Sequence, residues 1–211
     1  GIPTATTLVP VGTTYTWVIP INNLNLTGQT LIQNVPQNEI SETLINTTNI
    51  NQQITYVVTP EADGCIGDSF EVVITIQPIP VIPDLVQVLC DEENYILSPV
   101  NGVLPDAFTI VPDTTLYTWG APVLSNPNIT GWTTGTDEAF FDTGILENGT
   151  TVIQTVTFTL TPNYYTTSNP ATPQCVGEDF TVTISLKPSP EINEVIANIA
   201  CSYSDPLCGA S

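Results

Sequence analysis

Five cysteines are the residues of this chain best suited to covalent chemistry. Two thiols that lie close together can be oxidised to a disulfide, which stabilises a fold by restricting the unfolded chain. A pair as far apart in sequence as Cys90 and Cys175 would contribute roughly 4–5 kcal/mol. Structural disulfides persist outside the cytoplasm, so an oxidised pair would indicate a secreted protein.

Acidic side chains are the second group with chemical potential. The chain has 21 Asp and Glu residues against one basic residue and no histidine, for a net charge of −20. Carboxylate oxygens are the ligands that Ca²⁺ prefers, and three of them follow one another at Asp91, Glu92 and Glu93. We expect no cofactor, because solvated loop carboxylates explain these residues. Calcium at this triplet, near a domain junction, is the alternative.

The residue types that are missing exclude several functions. Without histidine the chain cannot build a Ser-His-Asp or Cys-His arrangement, nor a zinc site based on imidazole. Lys187 is the one basic residue, and one is too few to neutralise nucleic-acid phosphates. We therefore predict that the protein is not an enzyme and does not bind nucleic acid.

The C-terminal half of the chain repeats its N-terminal half. Tyr-Thr-Trp occurs at 15–17 and again at 117–119, a spacing of 102 residues, and Pro-x-Pro occurs at 78–80 and 188–190. A period of this length is typical of small domains in series rather than of a solenoid. We predict a first repeat at 1–80 that lacks its opening segment, a complete second repeat at 81–190 and the start of a third at 191–211.

The repeat also orders the cysteines. Cys65 and Cys175 are equivalent, and Cys90 and Cys201 each follow a Pro-x-Pro motif. A complete unit thus begins with one cysteine and has another before its last strand, so we predict a Cys90–Cys175 disulfide within the second unit. Two alternatives stay open: free thiols throughout, or a Cys65–Cys90 bridge across the junction.

A period-two alternation along the chain predicts strands rather than helices. It is clear at 70–77, 155–161 and 180–187, and it is typical of sheets with one buried and one solvated face. About seven short strands per unit, separated by turns, predict an all-β protein of tandem immunoglobulin-like β-sandwich domains. We predict that Trp17 and Trp119 pack in the cores, and that the proline-rich junctions hold neighbouring units apart.

The order of these motifs resembles the PKD-like repeats of giant cell-surface proteins of the Bacteroidetes. Tyr-Thr-Trp is followed by Asn-x-Thr-Gly, by a threonine-rich strand ending in Thr-Pro, by Gly-Cys-x-Gly and by a last strand ending in Pro-x-Pro. The near absence of Lys and Arg is similar to the gliding-motility adhesins of flavobacteria. One departure is Gln174, which stands where the motif has glycine before Cys175.

The resemblance implies a location and a set of partners. It implies export by the type IX secretion system, an extracellular position on the outer membrane, and contact with the secretion and motility machinery. It further implies neighbouring repeats of the same long chain, and polysaccharide or substratum, as partners. An O-glycan at Thr114 is also implied, because residues 113–115 have the Asp-Ser/Thr-x pattern that these bacteria modify.

We therefore predict a non-catalytic segment of a secreted surface adhesin or filament, which extends the molecule and contacts surfaces. The alternative is a carbohydrate-binding module of a secreted polysaccharide-degrading enzyme. That alternative requires Trp132, Tyr164 and Tyr165 to lie flat on one open face. A third hypothesis is polymerisation by strand donation, because the residues from Glu191 onward form a strand without partners in the predicted units.

Overall fold

The computed structural model describes residues 9–166 and 171–190, and within them every regular element is a strand. The all-β prediction is therefore confirmed. The described part of the chain has no helix long and apolar enough to cross a membrane. The predicted start of a third repeat, with Cys201 and Cys208, lies outside the described residues. Below, the first unit and the second unit denote the chain before and after residue 80, following the predicted division.

The first unit is built around one five-stranded sheet. Strand β5 lies at its centre and pairs with β1, β6 and β7, while β3 pairs with the other edge of β1. A small second sheet joins β2 to β4. The strands are β1 (Thr14–Val18), β2 (Leu26–Thr27), β3 (Ile32–Gln37), β4 (Ile45–Asn46), β5 (Gln52–Ala62), β6 (Cys65–Ile66) and β7 (Phe70–Ile76).

The second unit repeats this sheet and adds to it. Its order is β13-β10-β16-β18-β8, with β11 and β17 also on β16, and β9-β14 and β12-β15 form small sheets. The strands are β8 (Leu85–Cys90), β9 (Ile96–Leu97), β10 (Thr115–Trp119), β11 (Val123–Leu124), β12 (Ile129–Thr130), β13 (Gly135–Glu138), β14 (Phe141–Asp142), β15 (Glu147–Asn148), β16 (Gln154–Tyr164), β17 (Cys175–Val176) and β18 (Phe180–Lys187).

The two central strand pairs have the same register. Tyr15 lies opposite Pro60 in the first unit, and Tyr117 lies opposite Pro162 in the second. Because a slip of one residue would turn every side chain to the other face, equal register means that both copies bury the same positions. The sequence repeat is therefore a repeat of one immunoglobulin-like sandwich fold.

Each unit has its own apolar core around a tryptophan. Trp17 and Trp119 are each 5% exposed, as predicted. Trp17 packs with Tyr56 and Val58. Trp119 meets the ring of Phe141 edge to face, with 5.2 Å between the centroids and 82° between the planes. Such aromatic packing is typical of the space between two sheets.

The two cores differ in size. The first contains six buried apolar residues and the second fifteen. Part of the difference comes from the segment that opens the second unit, because Ile82, Leu85 and Leu97 are all buried in that core. The described residues of the first unit include no counterpart of this segment.

Steric constraints explain why each Asn-x-Thr-Gly motif ends in glycine. Gly28 and Gly131 have φ of +88° and +82°, a region that other residues rarely adopt. A Cβ at Gly28 would overlap the carbonyl oxygen of Thr43, and one at Gly131 would overlap that of Ile145. In each unit, the glycine thus lets the backbone pass close to another segment of the same unit, at Thr43 in the first and at Ile145 in the second.

The connection between the units is held by main-chain contacts. The amide of Val81 donates to the carbonyl of Ile110 at 2.9 Å, and the amide of Ile110 donates back at 2.8 Å. A Cβ at Gly177 would overlap the carbonyl oxygen of Pro80. The proline-rich linker is thus packed against the second unit and hydrogen-bonded to it.

Candidate functional site

The predicted Cys90–Cys175 disulfide is wrong. Both thiols are free, and Cys90 lies opposite Lys187 at one end of the sheet while Cys175 lies opposite Tyr164 at the other. The eight residues of β18 alone separate these ends, which at about 3.3 Å per residue is more than 20 Å. A disulfide needs Cα atoms within about 7 Å. The order of cysteines along the chain did not reveal which end of the sheet each one occupies.

Cys175 instead meets the first unit. Its sulfur lies 3.7 Å from the side-chain oxygen of Gln77, the residue that follows β7. Burial raises the pKa of the Cys175 thiol, so it is less readily ionised than an exposed cysteine. Cys65, the equivalent residue of the first unit, is exposed and is also free.

The acidic triplet is used for hydrogen bonding within the protein. A carboxylate oxygen of Asp91 accepts from the amide of Asn148 at 2.7 Å, and one of Glu93 accepts from the amide of Cys90 at 2.8 Å. Glu92, which lies between them, has φ of 64° and forms the turn. Nowhere in 9–166 and 171–190 do three Asp, Glu, Cys or His side chains converge as a metal site requires. The geometry gives no support to calcium binding at this triplet.

Thr114, the predicted O-glycan site, is exposed but engaged. It has φ of 65°, and its hydroxyl donates to the carbonyl of Tyr165. A glycan on this oxygen would replace that hydrogen bond at the end of β16. Whether the residue is modified stays a prediction.

The aromatic residues that a carbohydrate-binding module would need do not share one open face. Tyr165 is 8% exposed and Trp132 is 37% exposed. Tyr164 is half-buried at the end of β16, beside the junction. Trp132 follows β12, and it lies in the loop toward β13. These three side chains therefore do not form a flat sugar-binding platform.

The outer edge of β7 is the clearest unfilled feature of the described structure. In the second unit β8 pairs with the outer edge of β18, whereas β7 pairs with β5 alone among the described strands. The effect on burial is direct, since Phe180 is 1% exposed and its equivalent Phe70 is 46% exposed. Among the described residues, the outer edge of β7 thus has no neighbouring strand, and the core side chains next to it are partly exposed.

A groove of about 750 Å³ continues this edge toward the junction, and Leu44, Asn46 and Ile76 line its first-unit side. In the second unit, residues 91–93 occupy the space that is equivalent to this groove, beside Leu146, the counterpart of Leu44. There the amide of Glu92 donates to the carbonyl of Leu146 at 2.8 Å, and the amide of Leu146 donates to the carbonyl of Glu93 at 2.9 Å. The groove is the place that the chain after β8 fills in the second unit.

Sequence reasoning missed the structural role of two asparagines that occupy the same position in the two repeats. Asn148 donates to the carbonyls of Val152 and Leu186, both at 3.0 Å, and Asn46 donates to those of Ile50 and Ile76 at 2.7 and 3.1 Å. The signal was the recurrence of asparagine at one repeat position. Each ties a turn to the last strand of its unit.

A model of the PKD-like domain matches residues 3–80 and 104–190. The chain belongs to the PKD-like domain family. The two matched parts follow the repeat, which agrees with the equal register of the two sheets. They leave out residues 81–103, so the segment with β8 and β9 lies outside the family match although it forms part of the second core.

Two solved structures are similar to this PKD-like chain at low identity. Cadherin domains 3–6 of protocadherin gamma B2 are 10% identical with a TM-score of 0.32, over 83% of this chain and 41% of that one. The EC1-2 fragment of human mucin-like protocadherin is 13% identical with a TM-score of 0.28, over 86% and 87%. The chain spans less than half the length of the first. No curated protein matches the sequence.

Proposed function

We propose that this chain is a non-catalytic, extracellular segment of a repeat array, which extends and spaces a bacterial surface adhesin or filament. The observation that carries the proposal is the equal register of β1 on β5 and β10 on β16. One folded unit is built twice in series and joined by an anchored linker. A folded unit that is repeated in series has length and spacing as its product.

The charge supports the same role. With a net charge of −20, neighbouring chains on a crowded surface repel one another and stay soluble. The spacer role needs no metal and no cofactor. It needs only folded units whose junctions resist bending.

The finer part of the proposal concerns the setting. We place the array on the outer membrane of a gliding bacterium, exported by type IX secretion and moved by the motility machinery, with polysaccharide or substratum as the surface contacted. The resemblance of the ordered motifs to repeats of Bacteroidetes surface proteins supports this setting. The carbohydrate-binding alternative has less support, because Trp132 and Tyr165 do not share an open face.

Labelling of intact source cells tests the setting. Antibodies against the purified chain should bind unbroken cells, and mild protease treatment of those cells should remove the signal. Antibodies against a cytoplasmic protein of the same cells serve as the control for lysis. Binding that appears only after the cells are broken would contradict a surface location.

A further inference from the structure

The contact between Cys175 and Gln77 brings together two groups that can react with each other. The thiol sulfur of Cys175 lies 3.7 Å from the side-chain oxygen of Gln77. Because a C=O bond is about 1.2 Å long, the amide carbon is only one bond beyond the atom that the thiol contacts. A thiol that attacks a carboxamide carbon forms a thioester and releases ammonia. Among the cysteines of the described residues, Cys175 alone has its sulfur against a side-chain carbonyl.

Both partners are held on ordered segments. Cys175 belongs to β17, where it pairs with Tyr164 of β16, and the nearby amide of Gly177 donates to the carbonyl of Pro162 at 2.9 Å. Gln77 directly follows β7 and precedes the buried Pro78, whose ring fixes the backbone at that point. Two groups held in contact by a fold need no encounter step before they react.

A cavity of about 370 Å³ opens onto the side chain of Gln77. Asn51 lines it from the first unit, and Tyr164 and Tyr165 line it from the second. Within residues 9–166 and 171–190, the Nε2 group of Gln77 donates no hydrogen bond. No described group therefore retains the nitrogen that must leave, and the cavity lets ammonia depart and a small nucleophile enter.

The surroundings also slow the reaction of a thioester with water. The chain has no histidine, so no imidazole can pass the acyl group to water. Burial raises the pKa of the Cys175 thiol, and a thiol of higher pKa is a slower leaving group. Both features lengthen the life of an acyl group on this sulfur.

We propose that Cys175 and Gln77 form an internal thioester that couples this chain covalently to a primary amine. In the first step the Cys175 sulfur bonds to Cδ of Gln77, the Cδ–Nε2 bond breaks, and the thiol proton leaves with the nitrogen as ammonia. In the second step the amine nitrogen bonds to the same carbon, the carbon–sulfur bond breaks, and a proton of the amine passes to the sulfur. The products are a substituted amide at Gln77 and the thiol of Cys175, and neither step needs an oxidant or a cofactor.

An amine is the nucleophile that this site favours. A hydroxyl is a weak nucleophile unless a positioned base activates it, and the chain has no histidine for that task. Amines in water are largely cationic, so the net charge of −20 and the carboxylate of Asp113, which lines the cavity, raise their local concentration. An uncharged sugar hydroxyl gains neither advantage.

As a means of attachment, this inference rests on the proposed contact with surfaces and adds the chemistry of that contact. The spacer role and the surface location require neither Cys175 nor Gln77, so both survive if no thioester forms. The pair belongs to this junction, because Lys187 is the counterpart of Gln77 in the second unit.

Intact mass spectrometry of the full chain, purified without amine buffers or thiol reductants, tests bond formation. We expect a mass below that of the sequence by one ammonia, and a peptide map in which Gln77 is joined to Cys175. Methylamine should then add its own mass once, at Gln77, and leave Cys175 open to alkylation. A chain of full sequence mass, with unmodified Gln77 and a readily alkylated Cys175, would overturn the proposal.

Matched variants identify the source of the mass loss. Cys175→Ala and Gln77→Ala should each abolish it, whereas Cys65→Ser, at the equivalent position of the first unit, should retain it. A succinimide at Asn101 also releases one ammonia, so a loss that survives in Cys175→Ala would contradict the assignment. Conversion of Gln77 to glutamate that Cys175→Ala prevents would record a thioester already hydrolysed, and would support the proposal.

Covalent capture tests the class of acceptor. Beads that carry primary amines should retain the parent chain through a wash in denaturant, whereas beads that carry hydroxyl groups should not, and Gln77→Ala should be washed from both. Competition by a lysine peptide or by glucosamine would support an amine, and the stronger competitor identifies protein or polysaccharide as its source. Retention on the hydroxyl beads alone would overturn the choice of amine.

Discussion

Phe70 and Phe180 occupy the same position in two copies of one fold, yet Phe70 is 46% exposed and Phe180 is 1% exposed. The difference arises because β8 lies beside β18 and no described strand lies beside β7 on that side. One chain thus contains both the covered and the uncovered form of the same sheet edge. This pair makes the chain its own control for the energetics of that edge.

Truncating these two phenylalanines should have very different costs. Phe180→Ala should lower the free energy of unfolding of the second unit by about 3–5 kcal/mol, because it removes a fully buried ring. Phe70→Ala should cost less than about 1.5 kcal/mol, since its ring is half in water. Urea denaturation followed by tryptophan fluorescence, with Trp17 and Trp119 as reporters of their own units, measures both. Equal losses would show that the edge of β7 is covered in solution.

Asn148 should matter for the stability of the second unit. Its side-chain amide ties the turn to the last strand through the carbonyls of Val152 and Leu186. Asn148→Ala leaves the buried Leu186 carbonyl without this donor, at a cost of about 1–3 kcal/mol. Thermal unfolding measures the loss. The matched control is Asn128→Ala, an exposed member of another Asn-x-Thr motif, which should change stability by less than about 0.5 kcal/mol. Equal melting temperatures for the two variants would contradict this role.

Gly177 should control the stiffness of the junction. Gly177→Ala places a methyl group against the Pro80 carbonyl and 2.8 Å from Cγ of Pro162, so the linker must shift at a cost of about 1–3 kcal/mol. We expect lower stability together with a wider distribution of angles between the units, measured by scattering or by spin-label distances. Gly67→Ala is the control, because its Cβ would meet only Pro60 within the first unit. A Gly177→Ala chain as stiff as the parent would contradict the anchoring.

Two buried tyrosines should make the protein sensitive to alkaline pH. Burial raises the pKa of Tyr117, and burial with a 2.5 Å hydrogen bond to Glu42 raises that of Tyr56. A group whose pKa is raised on folding contributes its full stability below the unfolded value, about 10 for tyrosine, and loses it as pH rises further. Melting temperature should therefore fall above about pH 10. Tyr56→Phe with Tyr117→Phe should flatten that fall, and an unchanged slope would contradict the assignment.

Much of the fold was open to prediction from sequence. The alternation at 70–77 and 180–187 predicted β7 and β18, because each strand has an inner and an outer face. The repeat predicted which tryptophans are core residues. The cysteine pairing failed because sequence order does not say which end of an antiparallel sheet a residue occupies. The contact between Gln77 and Cys175 joins two units, and a pattern within one unit carries no information about it.

Small-angle scattering of the reduced, dilute chain tests the central claim, that two rigid units stand in series as a spacer. Each unit is about 36 Å long, from the 11 residues of β5 or β16 at about 3.3 Å each. We predict a monomer with a longest dimension of at least about 70 Å and two maxima in its distance distribution. A single maximum with a radius of gyration near 17 Å, the value for a compact chain of this length, would contradict the account.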